Sequence, residues 1–171
     1  GALASWGVGD KLNAAIGQSE NRLTPLQLCV YACTLANNGT RMRATFLSQV
    51  VSTDYRTRLV INAPEAVSHM TISEDAYLSY IEGMRLAARE GTARTIFADY
   101  PIDVCAKTGT PQHDIRDQSD HGAFMCFAPA TNPTIAVYVY GEKSGSGSAM
   151  GPVAKAILDM HFEVGEVADV T

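Results

Sequence analysis

The chain has 171 residues, 46% of them apolar and 18% charged, with a net charge of −5. That composition belongs to a globular chain rather than a disordered one, and the length suits one domain with a sizeable core. The acidic balance argues against nucleic acid, which draws basic clusters, and no apolar run reaches the roughly 20 residues of a membrane helix.

Gly1-Ala-Leu-Ala-Ser-Trp6 has neither the cationic start nor the apolar stretch of a signal peptide, so the chain reads as opening within a longer protein. The first clear element starts at Thr24-Pro25, an N-cap followed by proline at the first helical position, and stops at Asn38-Gly39. Between them LQLCVYACTLAN is apolar on nearly every side, which predicts a helix buried in a larger core. Ala44 to Val51 and Arg56 to Ile61 read as two strands paired near the surface. Ser73 caps a second helix running to about Glu90, with Tyr77, Leu78, Ile81, Met84, Leu86 and Ala88 mostly on one stripe.

Gly91 ends that helix and Thr92-Ala-Arg-Thr-Ile-Phe97 starts a short further turn. Three strands are expected at 102–110, 122–128 and 134–142, the last of them rich in β-branched and aromatic residues. Lys143-Ser-Gly-Ser-Gly-Ser148 reads as a flexible loop. A closing helix is expected from about Ala149 to Phe162, with Val153, Ala154, Ile157, Leu158 and His161 on one side. Helices first, then an antiparallel meander closed by a helix, define an α+β fold: an antiparallel sheet flanked by helices.

The four cysteines give no zinc spacing. Cys29 and Cys33 share one helical face, and Cys105 and Cys126 stand where they could face each other on neighbouring strands. Four small buried thiols is the favoured reading.

The stretch CAKTGTPQ, residues 105–112, sets a cation and two hydroxyls around a glycine in a strand. Alternation puts Lys107 and Gly109 on one face, with Thr108 and Thr110 on the other or toward the edge. Gly109 is costly in a strand and marks where a ligand or backbone must come close. Lys107 offers fixed charge to an anion or a developing oxyanion; the threonine hydroxyls can donate to a carboxylate, and the Thr110 N–H can serve an oxyanion hole. An exposed strand with ordinary residues would look the same if nothing else matched.

More does match, in order. GDKLNAAIGQ (9–18), LTPLQ (23–27) with its helix to ANNG (36–39), EGTA (90–93), AKTGTPQ (106–112), HGAFMCFAP (121–129), NPTIAVY (132–138) and SGSAMGPVA (146–154) together resemble the second half of the transpeptidase domain of class B penicillin-binding proteins. The resemblance implies the penicillin-binding and serine β-lactamase-like fold. It also implies acyl transfer from D-Ala-D-Ala stem peptides to a neighbouring amine, with β-lactams stalling at the acyl stage. By the same resemblance Lys107 and Thr110 are catalytic, Lys107 by its charge beside the nucleophile and Thr110 by its N–H in the oxyanion hole. Thr108, Gly109 and Thr110 bind substrate, the two hydroxyls through its carboxylate. No cofactor or metal is implied. The implied partners are peptidoglycan stem peptides, β-lactams, the upstream half of the same protein and other cell-wall synthesis proteins. The implied location is the extracytoplasmic face of the cell membrane, with an anchoring helix outside this chain.

The sequence departs from the family pattern at several places. Three residues before Lys11, Lys107, Lys143 and Lys155 stand Val8, Val104, Tyr140 and Pro152, so the chain contains no Ser-x-x-Lys. Its one Ser-x-Asn, Ser19-Glu-Asn21, lies in a segment where the family's middle motif does not fall. The nucleophile is therefore expected upstream of Gly1, and residues 1–171 are expected to be the C-terminal portion of one transpeptidase domain, inert alone. Ala106 replaces a usual glycine, which is expected to narrow the approach to the strand, and Ala123 replaces a usual tryptophan of the groove wall.

Other signals read as ordinary structure. His113, Asp114, Asp117, Asp120 and His121 suit a solvated loop better than a metal site. Glu74-Asp75 favours a helix dipole, and Asn38-Gly-Thr40 ends a helix rather than accepting a glycan. A serine β-lactamase and a β-lactam sensor domain share the expected fold; the IGQ…TPLQ and GTA stretches favour the transpeptidase.

Overall fold

A computed structural model describes residues 7–18, 21–112 and 118–165. Ser19 and Glu20 of the Ser-x-Asn match, and His113, Asp114 and Asp117 of the acidic loop, lie outside the described residues.

Strands β5 (Cys105–Gly109), β6 (Gly122–Ala128) and β7 (Ile135–Gly141) form one antiparallel sheet in the order β5-β6-β7. β6 is buried along almost its whole length, because helices cover both faces of the sheet. Helices α2 (Pro25–Ala36) and α3 (Glu74–Arg89) pack on one side, α4 (Arg94–Phe97) and α5 (Gly151–Phe162) on the other. The pleat sorts the side chains between two cores. Ala106, Phe124, Cys126 and Val137 meet Phe97, Ala154 and Leu158; Cys105 and Phe127 meet Ile81, Met84 and Ala130. Phe124 and Phe127, fully buried on opposite faces, each contribute roughly 2–3 kcal/mol of apolar transfer free energy.

The caps act as expected. Thr24 accepts from the Gln27 N–H while the Gln27 side chain accepts from the Thr24 N–H, with Pro25 opening α2. Ser73 accepts from the Ala76 N–H at the start of α3, whose acidic first turn, Glu74-Asp75, stands at the positive end of the helix dipole. Asn38 and Gly39, at φ 46° and 86°, end the region of α2, and Gly39 has no room for a side chain against the Met70 carbonyl.

Several expectations are corrected. α2 is not enclosed: of its residues only Ala32 and Thr34 are buried, and Leu26 and Tyr31 are 50% and 49% exposed. Its apolar side chains Leu26 and Tyr31 instead line open hollows shared with Val8–Ala15, Thr40–Met42 and Ala66–His69. Within the α3 stripe, Ile81, Met84 and Ala88 are buried but Leu78 and Leu86 are exposed. α5 buries Gly151, Ala154 and Leu158, and leaves Val153, Ile157 and His161 exposed. Close approach selects that face, since a Cβ at Gly151 would overlap Ile96.

The cysteines divide as well. Cys105 pairs with Phe127 and Ala106 with Cys126, so Cys105 and Cys126 project from opposite faces of the sheet and cannot face each other. Both are buried, whereas Cys33 is exposed and Cys29 half-buried; all four are free thiols.

The remaining elements are short and mostly exposed. α1 (Val8–Ala15) has no buried residue, which left it unpredicted. β1 (Thr40–Met42) pairs with β4 (Ala66–His69), and β2 (Gln49–Val51) with β3 (Arg58–Ile61), in two exposed antiparallel ribbons, each with a register shift. The second ribbon is the expected surface pair, shorter than its apolar runs.

Candidate active-site groove along strand β5

β5 is an edge strand, so its outer side carries backbone groups that no other described strand occupies. Its register builds the floor beside it. Lys107 stands opposite Met125, which stands opposite Tyr138; Gly109, Ala123 and Tyr140 form the next row. These rows share one face, so a cation is held at the rim of an apolar floor. The resulting groove has a volume of about 410 Å³ and is lined by residues 107–111 together with Ile16, Leu28, Tyr31, Met125 and Tyr138. It adjoins a hollow of about 720 Å³ between α1, α2 and the end of β7. Burial pushes the Tyr138 phenol above its ordinary value, and the neighbouring Tyr140 adds to this.

The expected site residues lie together. Lys107 is exposed, and its Nζ donates to the Thr108 carbonyl at 2.5 Å. Thr108 alternates away from the Lys107 face, and its hydroxyl donates to Thr92 Oγ1 at 2.9 Å, while the residue still borders the groove at the strand's open edge. A Cβ at Gly109 would stand 3.4 Å from Ala123 Cβ, an ordinary contact, so the neighbouring strand does not itself demand glycine there. Thr110 follows the strand, and its hydroxyl accepts from the Gly147 N–H at 3.4 Å.

The two departures from the family pattern differ in consequence. The Ala106 methyl is fully buried on the core face, away from Lys107, and does not narrow the groove. Ala123 does line the groove, directly across from Gly109, so the floor at that point is a methyl group.

Thr92, Gly147 and Ser148 touch this strand or its supports, roles that the sequence alone did not reveal. Ser148 donates to the Thr92 carbonyl at 3.2 Å. The GTA and Ser/Gly stretches were visible, but only the fold shows that they converge. The loop expected to be flexible is tied down: Ser144 donates to the Gly141 carbonyl, the Gly145 N–H to the Asp120 carbonyl and the Lys143 N–H to His121 Nδ1. Among the described residues no three His, Cys, Asp or Glu side chains group to hold a metal, and no helix is long and apolar enough to cross a membrane.

The helix-flanked antiparallel sheet thus presents Lys107–Gly109 on its edge strand, with Thr110 just beyond, beside an open groove. The chain belongs to the penicillin-binding protein transpeptidase domain family, which it matches over residues 1–159. It is 31% identical over 170 residues to penicillin-binding protein 2A of Bacillus subtilis, covering 90% of this chain and 24% of that protein. It is 30% identical over 180 residues to the peptidoglycan D,D-transpeptidase MrdA of Escherichia coli, covering 94% of this chain and 27% of the relative. Among solved structures, penicillin-binding protein A of Mycobacterium tuberculosis as a ceftriaxone acyl-enzyme complex superposes with a TM-score of 0.75 at 28% identity, over 86% of this chain and 34% of the other. The chain thus spans about a quarter of the length of these curated relatives.

Proposed function

We propose that the chain carries the Lys-Thr-Gly-Thr wall of a peptidoglycan D,D-transpeptidase that is acylated by β-lactams. The observation that carries this reading is the groove itself: Lys107, Gly109 and Thr110 line one rim of it, at the open edge of β5. An extended stem peptide lies along that edge, hydrogen-bonded to the strand backbone. Lys107 supplies positive charge, the Thr108 and Thr110 hydroxyls hold the terminal carboxylate, and Gly109 lets the peptide come close. A serine oxygen forms an ester with the penultimate D-Ala carbonyl carbon while the bond to terminal D-Ala breaks, its nitrogen taking the proton. The Thr110 N–H steadies the oxyanion on the way. An amine of a neighbouring strand then displaces the serine and forms the cross-link.

The serine comes from a part of the protein outside these 171 residues, which contain no Ser-x-x-Lys. These residues form the C-terminal portion of one domain, inert alone. The names of the relatives support the substrate class; a site at the extracytoplasmic face of the cell membrane is part of the same proposal.

The test is incubation of the whole protein with labelled penicillin, beside its Lys107→Ala variant. A persistent acyl-protein that the variant forms about 100-fold more slowly is the expected result. Hydrolysis of the acyl-protein within minutes would make it a serine β-lactamase instead, and labelling of these 171 residues alone would overturn the division of the site.

A further inference from the structure

Thr108 has two demands on one proton. A hydroxyl carries a single O–H, and that of Thr108 is donated to Thr92 Oγ1 at 2.9 Å. A carboxylate in the groove accepts only, so it needs that same proton. Thr92 can release it, because Thr92 is itself a hydroxyl: turning the bond round, Thr92 donates to Thr108 and the Thr108 proton points to the anion. A hydrocarbon side chain at position 92 could not do this.

The surroundings hold Thr92 in place for such an exchange. It lies in the turn between α3 and α4, and its carbonyl accepts from Ser148 at 3.2 Å. Ser148 belongs to the short 3-10 helix Gly147–Met150, whose first residue sits directly on the backbone of Gly109 and Ala123. The Gly147 N–H also donates to Thr110, the other hydroxyl of the wall. Turn, strand and 3-10 helix therefore meet at Thr92, and both threonines of the wall have their resting partners in this cluster.

We infer that Thr92 is a positioning residue of the carboxylate site, reversing its hydrogen bond with Thr108 when an anionic ligand binds. This rests on the reading of β5 as a substrate wall.

In the whole protein, Thr92→Val is expected to slow acylation by penicillin about tenfold, the effect of one hydrogen bond to a charged group. Thr92→Ser keeps the hydroxyl and should restore the rate to within threefold. The methyl ester of the same penicillin lacks the carboxylate charge, and its slower acylation should be equal in wild type and Thr92→Val. Equal slowing of acid and ester would make Thr92 merely structural and overturn the inference. An unchanged rate with the acid would overturn it too. If Thr92→Val does not fold, Thr92→Ala with the same pair of probes replaces it. Lys107→Ala separates the two levels: retained acylation there removes the wall itself, whereas loss there with no effect at Thr92 removes only this inference.

Discussion

The Arg85 guanidinium meets the Asp103 carboxylate at 2.7 Å, joining α3 to the chain two residues before β5. Arg89 approaches the other oxygen at 2.9 Å, and the Asp103 carbonyl accepts from the Ala130 N–H. The Arg85 Nε–H is not aligned as a hydrogen bond to the carboxylate, so charge attraction dominates. Asp103 is only 25% exposed, which places this pair between a surface contact and a buried one. Asp103→Ala is expected to cost about 1–3 kcal/mol, read by urea unfolding. No change in the midpoint would show the pair to be incidental.

Two glycines should respond in opposite directions to alanine. A Cβ at Gly147 would overlap the backbone of Gly109 and Ala123, so Gly147→Ala is expected to destabilise by about 2 kcal/mol or more. Gly83 lies within α3 with nothing within 4 Å of the added carbon. Gly83→Ala should stabilise by about 0.5–1 kcal/mol through helix propensity. Thermal unfolding of both variants checks the pair, and a shift of the same sign in both would contradict the packing described for the 3-10 helix.

Lys107 is exposed and supports no core contact, so its removal should separate function from stability. Lys107→Ala is expected to unfold within a degree or two of wild type yet lower acylation of the whole protein by about 100-fold, the scale of one lost electrostatic contact in a transition state. Lys107→Arg, a planar fork in place of a point charge, should recover only part of this.

The buried thiols predict a pH dependence. Burial raises Cys105 and Cys126 to about 12, against an ordinary 9.0. A group raised on folding is more protonated in the native state, so its contribution is complete below the unfolded value. It is lost as pH climbs toward the folded one. The thiols' contribution should therefore be constant below pH 9 and fall between pH 9 and 12, with Tyr80, also raised to about 12, adding to the decline above its ordinary 10.0. At pH 8 a thiol reagent should reach the exposed Cys33 in the native protein, though partial burial and the neighbouring Cys29 raise its thiol pKa, and reach Cys105 and Cys126 only after unfolding. Equal reactivity of all four in the native protein would contradict the two-core arrangement.

The elements with strong local signals were readable from the sequence. Thr24-Pro25 and Ser73 fixed two helix starts because caps act within one turn, and Ile135–Tyr140 marked a strand through its side-chain types. The Lys107–Thr110 stretch was readable as a site for the same reason: its chemistry lies in four consecutive residues. What escaped depended on distant partners. α1 buries nothing, the β1–β4 ribbon joins three- and four-residue strands across the chain, and the α5 face was settled by the fit of Gly151 against Ile96. Thr92 and Ser148 lie 16 and 40 residues from Thr108 in sequence, too far for any local pattern to join them.

The free edge of β5 has a cost that concerns handling rather than catalysis. A row of unoccupied N–H and C=O groups that can receive an extended peptide can equally receive the same edge of another copy. Half-exposed apolar side chains such as Leu26 of α2 would add to that adhesion. The 171-residue chain prepared alone should therefore associate as its concentration rises, and an extended ligand bound along β5 should oppose this by capping the edge.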